Sequence, residues 1–289
     1  MRISGHDLAE PVTVEADGTF FEHTAKTRVP LTDTRQSGKR GILEDEGLAA
    51  HPSRVMLCRV DRLTDLTHDI RELRLVIEAG GPFNFSAGQY AQIEFASGLT
   101  RHYSMAGTPA EAELTFQLRR TADGKTGSNV TRELKPGDRI KVSGPLGFSF
   151  LRAKHAGPVL LVAGGSGFAP IYSVLRTLLG RGSGEKVALY FGVRSERDVY
   201  HESQLADLAA NHGNFSYQIV LSEPGSVGGR RRGLVHQAVA EDLADAAGYT
   251  AYLAGPPAMV EAAGQLLLGR GMARRDIHAD AFRYQSSGR

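Results

Sequence analysis

Apolar residues recur along this chain in two different rhythms, and the change from one to the other falls near residue 154. From "RVMLCRV" (54–60) through "IRELRLVIE", "QYAQIEF", "ELTFQLRR" and "DRIKVSG", apolar and polar positions alternate, with Gly, Pro and Asp between the runs. A period of two puts successive side chains on opposite faces of an extended strand. Leu114, Phe116 and Leu118 thus share one face of theirs. Several such strands at short spacing predict a small antiparallel β-barrel. One helix-like insert, "SNVTREL" (128–134), interrupts the series before the turn "KPGD".

The second rhythm begins with "PVLLVAGG" (158–165), a continuous apolar run ending in glycines, as a buried parallel strand should. In "PIYSVLRTLL" (170–179), Ile171, Val174, Leu175, Leu178 and Leu179 stand at helical spacing. Pro170 suits the first turn, where an amide proton has no intrahelical acceptor. "KVALYFGV", "FSYQIVL" and "YTAYLAG" then precede the helical patterns "YHESQLADLAAN", "LVHQAVAEDLADA" and "AMVEAAGQLLLGRG", and "DIHADAF" closes the series. Strands and helices in strict turn predict a doubly wound parallel sheet with helices on both faces. Residues 1–53 carry neither rhythm; "TVEADGTFFEHTA" predicts a hairpin and a helix, and the remainder reads as polar loop. The expected organisation is a small N-terminal segment (1–53), a β-barrel (54–153) and an α/β domain (154–289).

Composition narrows the function classes. With 34 Lys and Arg against 32 Asp and Glu, the net charge of +2 points to neither nucleic acid nor an acidic membrane surface. No apolar run approaches the roughly eighteen residues of a membrane span, and "MRISGHDLAE" lacks a signal-peptide layout. The single cysteine, Cys58, excludes an internal disulfide framework and fits a reducing, cytoplasmic setting.

Candidate chemistry gathers at two places. "AGGSGFAP" (163–170) joins the first parallel strand to its helix. Gly165 and Gly167 allow close backbone approach by a pyrophosphate, Ser166 offers a hydroxyl, and the helix N-terminus supplies free N–H groups. A tight strand–helix turn without a ligand would use the same glycines, so the loop alone decides little. After the next strand, Glu196 is a candidate for a ribose diol, and Arg194 or Arg197 for a 2′-phosphate, which leaves NADH against NADPH open. The second place is "TRHYSMAGTP" (100–109), where Arg101 and Tyr103 project to one face of a strand and Ser104 to the other unless the strand bends.

With these two stretches stand "GQY" (88–90), "GKTGS" (124–128), "GPLGFSF" (144–150) and "AGPPAMVEAA" (254–263), in that order along the chain. In this set the chain resembles the ferredoxin–NADP⁺ reductase superfamily, above all the reductase components of bacterial multicomponent oxygenases such as phenol hydroxylase and benzoate dioxygenase. The resemblance spans roughly residues 54–283 and implies FAD on the barrel and a nicotinamide dinucleotide on the parallel sheet. It implies Arg101 on the FAD pyrophosphate, Tyr103 packed against the isoalloxazine, and Ser104 near flavin N5. Tyr103 and Ser104 are therefore the expected catalytic pair. Gly127 and Ser128 are implied at the same phosphates, with Arg119 as a further contact. Gly255, Pro256 and Pro257 would place the nicotinamide against the flavin, at the carboxyl edge where such sheets bind ligands. Phe282 stands where relatives often have an aromatic near the flavin; a core role fits it equally.

Two departures from the family pattern carry consequences. Relatives usually have cysteine before G-P-P, whereas this chain has Ala254, which leads us to expect slower hydride transfer rather than a blocked site. Many relatives also carry a plant-type [2Fe–2S] domain, which needs four thiolates. Residues 29–47 resemble its cluster loop but contain no cysteine, so the N-terminal segment is expected to be a degenerate, metal-free ferredoxin-like remnant, with Cys58 as plain packing.

The expected activity is electron transfer from NAD(P)H through FAD to an external acceptor, such as a separate ferredoxin or a monooxygenase component. Glu223 after Ser222 would repel a 2′-phosphate and inclines the cofactor reading to NADH, while Arg230–Arg232 argue for NADPH. The alternative is an FAD-binding protein of this fold repurposed for a non-redox or scaffold role in biosynthesis.

Overall fold

The computed structural model describes residues 12–14, 20–22, 51–120, 133–153, 157–223 and 229–282. Gly127, Ser128, most of the helix-like insert and the cysteine-free loop 29–47 lie outside the described residues.

The alternating region folds as expected into six antiparallel strands. They are β3 (Arg54–Asp65), β4 (Ile70–Ala79), β5 (Tyr90–Glu94), β6 (Thr100–Ser104), β7 (Leu114–Arg119) and β8 (Arg139–Leu146), in the spatial order β6-β5-β8-β3-β4-β7. An antiparallel bridge between Met105 and Phe116 brings the two edges together and nearly closes the barrel. Register shifts at Leu57/Cys58 and Val60/Arg62 bend the long strand β3 around it. Met56, Cys58 and Val60 point into the interior with Leu73, Leu75, Ile93, Phe116 and Val142. Burial pushes the Cys58 thiol up to about 12, so it remains a neutral packing group.

The second rhythm gives β9 (Val159–Gly164), α1 (Phe168–Gly180), β10 (Val187–Val193), α2 (Glu202–Asn211), β11 (Phe215–Leu221), β12 (Arg231–Arg232), α3 (Val235–Asp242), β13 (Thr250–Gly255), α4 (Pro257–Gly269) and β14 (Ile277–Ala281). The parallel strands run in the order β12-β11-β10-β9-β13-β14. The first of them, β9, therefore lies inside the sheet with β10 on one side and β13 on the other. This is a topological switch point, and its carboxyl edge is open to a ligand. Two short N-terminal strands, β1 (Val12–Val14) and β2 (Phe20–Glu22), pair antiparallel as the sequence led us to expect. They extend this same sheet by way of β14, with Val12 opposite Ala281.

Thr115 and Gln117, on the face of β7 opposite Leu114, Phe116 and Leu118, are buried as well, at 7% and 4% exposure. The outer face of β7 is covered by the α/β domain. Gln117 lies 3.1 Å from the His201 ring nitrogen Nε2, and the Ser173 hydroxyl donates to the Gly107 carbonyl at 2.6 Å. Arg176 pairs with Glu111 across the same seam. Apolar contact adds to this, since Ile70, Ala87 and Leu151 from the barrel side join the core around α1. Among the described residues no helix is long and apolar enough to cross a membrane.

Candidate functional site

The nucleotide end of the site is made of backbone. Gly164 ends β9, Gly165 turns with φ +52°, and Gly167 leads into α1. Gly167 itself has an ordinary φ of −62°, so it is not required there for a left-handed turn. It is required for space: a Cβ at Gly167 would lie 2.2 Å from the Ala254 carbonyl oxygen. Gly255 has φ +150°, and a Cβ there would lie 3.0 Å from the backbone of Gly164. The ends of β9 and β13 thus meet main chain to main chain. No described side chain caps the start of α1; the Phe168 N–H is taken by the Gly165 and Ser166 carbonyls of the preceding turn, and the positive end of the helix dipole would face an anion there.

Around this loop opens a cleft of about 400 Å³. Gly164, Gly165 and Ser166 form its floor, and Arg194 and Ser222 line it at the carboxyl ends of β10 and β11. Pro256 and Met259 close one side, and Asp69, Ile70 and Arg119 approach from the barrel. Arg119 is ion-paired with Asp69 at 3.0 Å, and its guanidinium lies 3.6 Å from where a Cβ on Gly165 would stand. It therefore sits over the phosphate loop, at the seam of the two domains. Pro170 and Pro257 act from behind, buried in the first turn of α1 and opening α4 respectively. The sequence candidate Glu196 is engaged elsewhere, with both carboxylate oxygens 2.9 Å from Arg230 Nε. Donors at a helix start and a backbone cradle that any Cβ would fill suit the pyrophosphate of a dinucleotide.

The flavin candidates are side chains on one strand. β6 pairs with β5 residue for residue from Thr100 opposite Glu94 to Ser104 opposite Tyr90. No bulge interrupts this pairing, so the strand does not bend. Arg101 and Tyr103 stand opposite Ile93 and Ala91 on one face, and Ser104 on the other. Tyr103 is half-buried, edge-on to Phe95 at 6.4 Å. Burial raises its phenol to about 12, so it is a neutral donor. Arg101 Nη1 donates to the Thr100 carbonyl at 2.9 Å, and Ser104 is 8% exposed. A guanidinium for a diphosphate and a flat aromatic for a flat ring share one face and suit FAD, while the Ser104 hydroxyl stands on the opposite face of the strand.

The profile of oxidoreductase FAD-binding domains matches residues 57–150, and that of oxidoreductase NAD-binding domains matches residues 161–265. A curated relative from Ralstonia sp. is the ferredoxin–NAD(P)⁺ reductase component of naphthalene 1,2-dioxygenase/salicylate 5-hydroxylase systems. It is 44% identical over 241 residues, covering 83% of this chain and 73% of the relative. The reductase subunit of an Amycolatopsis aromatic O-demethylase is 35% identical, over 88% of this chain and 75% of its own. The crystal structure of the Amycolatopsis cytochrome P450 reductase GcoB superposes with a TM-score of 0.75 at 34% identity, covering 81% of this chain and 71% of that one. The chain belongs to the ferredoxin–NADP⁺ reductase family. The reductase is a flavin-dependent NAD(P)H oxidoreductase with its FAD domain in the barrel and its nucleotide domain in the parallel sheet.

Several residues of this reductase escaped sequence reasoning. Asp280, on β14 opposite Ala254, is 6% exposed, and its Oδ1 has no hydrogen-bond partner among the described residues. Burial raises its carboxyl to about 7. Ala279 and Ala281 pack on the α3–α4 side of the sheet, so Asp280 faces the other way, the side on which α1 and the barrel lie. His278, two residues earlier on that face, stacks on Tyr252 at 4.9 Å, and its Nδ1 is 3.3 Å from Arg152 beside the barrel. Phe282 donates its N–H to the Gly255 carbonyl at 2.8 Å, tying this strand end to the A-G-P-P turn. Only a charged letter within an apolar strand pointed to Asp280. Nothing in the sequence singled out Gln117, Tyr200 or Asp69, whose partners include residues far away in sequence.

Proposed function

We propose that this reductase oxidises NADH in preference to NADPH and delivers the electrons to a separate ferredoxin or oxygenase component. Bound FAD supplies the chemistry that accepts a hydride and releases electrons one at a time. The protein's own task is to hold the two cofactors in line and at contact distance. The glycine loop and the α1 N-terminus bind the pyrophosphate. The Gly255–Pro257 turn, packed on Gly164, fixes where the nicotinamide lies, and Arg101, Tyr103 and Ser104 hold the flavin.

One observation carries the NADH preference. Recognition of a 2′-phosphate needs an available cation, and two of the arginines that argued for NADPH, Arg230 and Arg231, are already engaged. Arg230 is clasped by Glu202, with Nη1 and Nη2 each 2.7 Å from a carboxylate oxygen, and by Glu196 at 2.9 Å. Arg231 pairs with Glu241 and Asp242. Glu223, exposed after β11, adds negative charge near Ser222 on the cleft wall. Anaerobic stopped-flow reduction should give kcat/KM for NADH at least about 10-fold above that for NADPH, the scale of one charge-assisted contact. Releasing Arg230 with Glu196→Gln and Glu202→Gln together should narrow that ratio. Equal use of both nucleotides by the unaltered protein would reject the preference.

The choice of a separate acceptor rests on one cysteine, since a single thiolate cannot hold a cluster that needs four. The relatives from Ralstonia and Pseudomonas putida are named as ferredoxin–NAD(P)⁺ reductase components of dioxygenase systems. Iron and sulfide at stoichiometric levels in freshly purified protein would contradict this reading. Neither the relatives named above nor any feature of the described residues favours the scaffold alternative.

A further inference from the structure

We propose that Tyr200 is a positioning residue for the dinucleotide pyrophosphate, holding the Gly165 peptide in place through a hydrogen-bonded link to Gln117 on the flavin barrel. The proposal builds on the nucleotide reading above and assigns the barrel a part in setting the phosphate loop.

Tyr200 is 5% exposed, with its ring edge-on to Phe168 at 5.2 Å and to Phe191 at 5.4 Å. Those contacts fix where its hydroxyl points. The hydroxyl shares its single proton between two acceptors, the Gly165 carbonyl oxygen at 3.1 Å and Oε1 of Gln117 at 3.3 Å, the Gly165 branch being the shorter. In a planar trans peptide the carbonyl and the following N–H point in opposite directions. A donor on the Gly165 oxygen therefore keeps that oxygen away from an incoming phosphate and presents the Ser166 N–H on the opposite edge. The Phe168 N–H also reaches the Gly165 oxygen, and the Tyr200 hydroxyl adds a side-chain tether to a residue whose φ of +52° leaves its peptide otherwise easy to turn.

Gln117 is itself held. It is 4% exposed on β7, and its Nε2 donates to His201 Nε2 at 3.1 Å. His201 stacks on Tyr172 at 4.8 Å and approaches Glu72 of β4 at 3.7 Å. Its backbone is left-handed, with φ 57°, a conformation that residues with a side chain seldom adopt. Contacts from two barrel strands and from α1 thus fix the chain direction one residue after Tyr200. An apolar residue at 117 would serve β7 as well by period alone. A buried amide there has this relay as its visible partner set.

Tyr200→Phe in the FAD-loaded protein removes the hydroxyl and keeps the ring packing. The dissociation constant for ADP-ribose, measured by calorimetry, should rise about 3- to 10-fold, the usual weight of one hydrogen bond. KM for NADH should rise with it, while the melting temperature and flavin spectrum stay as in the unaltered protein. Reduction by N-benzyl-dihydronicotinamide, a hydride donor without phosphate, should be unaffected. Gln117→Leu should weaken ADP-ribose binding too, and the double variant should lose less than the product of the two single losses. Unchanged ADP-ribose binding in Tyr200→Phe would overturn the proposal, as would equal slowing with the phosphate-free donor. Independent, multiplying losses would overturn the link to the barrel. Absence of flavin reduction by either nucleotide in the unaltered protein would instead count against the functional reading, and the calorimetry would still report on Tyr200.

Discussion

The two halves of the cofactor site are built by opposite means. At the nucleotide end, main chain approaches main chain, and the residues that matter are those with no side chain: a Cβ on Gly167 would come within 2.2 Å of Ala254. At the flavin end the main chain is an ordinary paired strand, and the candidate groups are the side chains of Arg101, Tyr103 and Ser104. A site of the first kind has no room for an added atom. A site of the second kind loses function by degrees as its groups are trimmed.

Substitutions at the two ends test that contrast. The largest effect is expected from Gly167→Ala, which must push apart the ends of β9 and β13. NADH-dependent flavin reduction should fall more than about 100-fold, the consequence of an overlap that packing cannot absorb. ADP-ribose binding should be lost, while the barrel keeps its flavin. A variant with normal ADP-ribose affinity would show that this backbone contact is looser than it stands. Ser104→Ala should do less: flavin reduction at saturating NADH slowing about 10-fold, as for loss of one positioned donor, with ADP-ribose affinity unchanged. Equal damage to nucleotide binding would erase the distinction between the two ends.

The smallest effect concerns the acid that belongs to neither set. Burial holds the Asp280 carboxyl near 7, against 3.8 in an exposed chain. Between those values the unfolded chain has released its proton and the folded one has kept it, so stability falls as pH rises through that window. Asp280→Asn should match the unaltered protein at about pH 4 and melt a few degrees higher at about pH 8. A melting difference independent of pH would show that the carboxyl is not the cause.

The same contrast governs how much could be read from sequence. Gly165, Ser166, Pro256 and Arg194 were legible because a local pattern, strand then glycines then helix, builds that part of the site, and all four line the cleft. The barrel strands were legible by period two. Arg119 was a phosphate candidate through the family resemblance alone, and its location over Gly165 depends on how the domains pack. The burial of Thr115 and Gln117 was not legible, because period two gives the face of a strand and not what covers it. Asp280, Gln117 and Tyr200 take their significance from residues far away in sequence, and no local rhythm carries that information. Glu196 shows the reverse case: a suitable acid at a suitable spacing, withdrawn from the cleft by Arg230.

Cys58 lies wholly inside the barrel with its thiol pushed up to about 12, and it is the only sulfhydryl in the chain. Alkylating and maleimide reagents act on accessible thiolates. The folded reductase therefore offers a silent background for attaching a single spin label or fluorophore through a newly introduced surface cysteine. Distances between its two lobes during turnover become measurable without first removing a native residue.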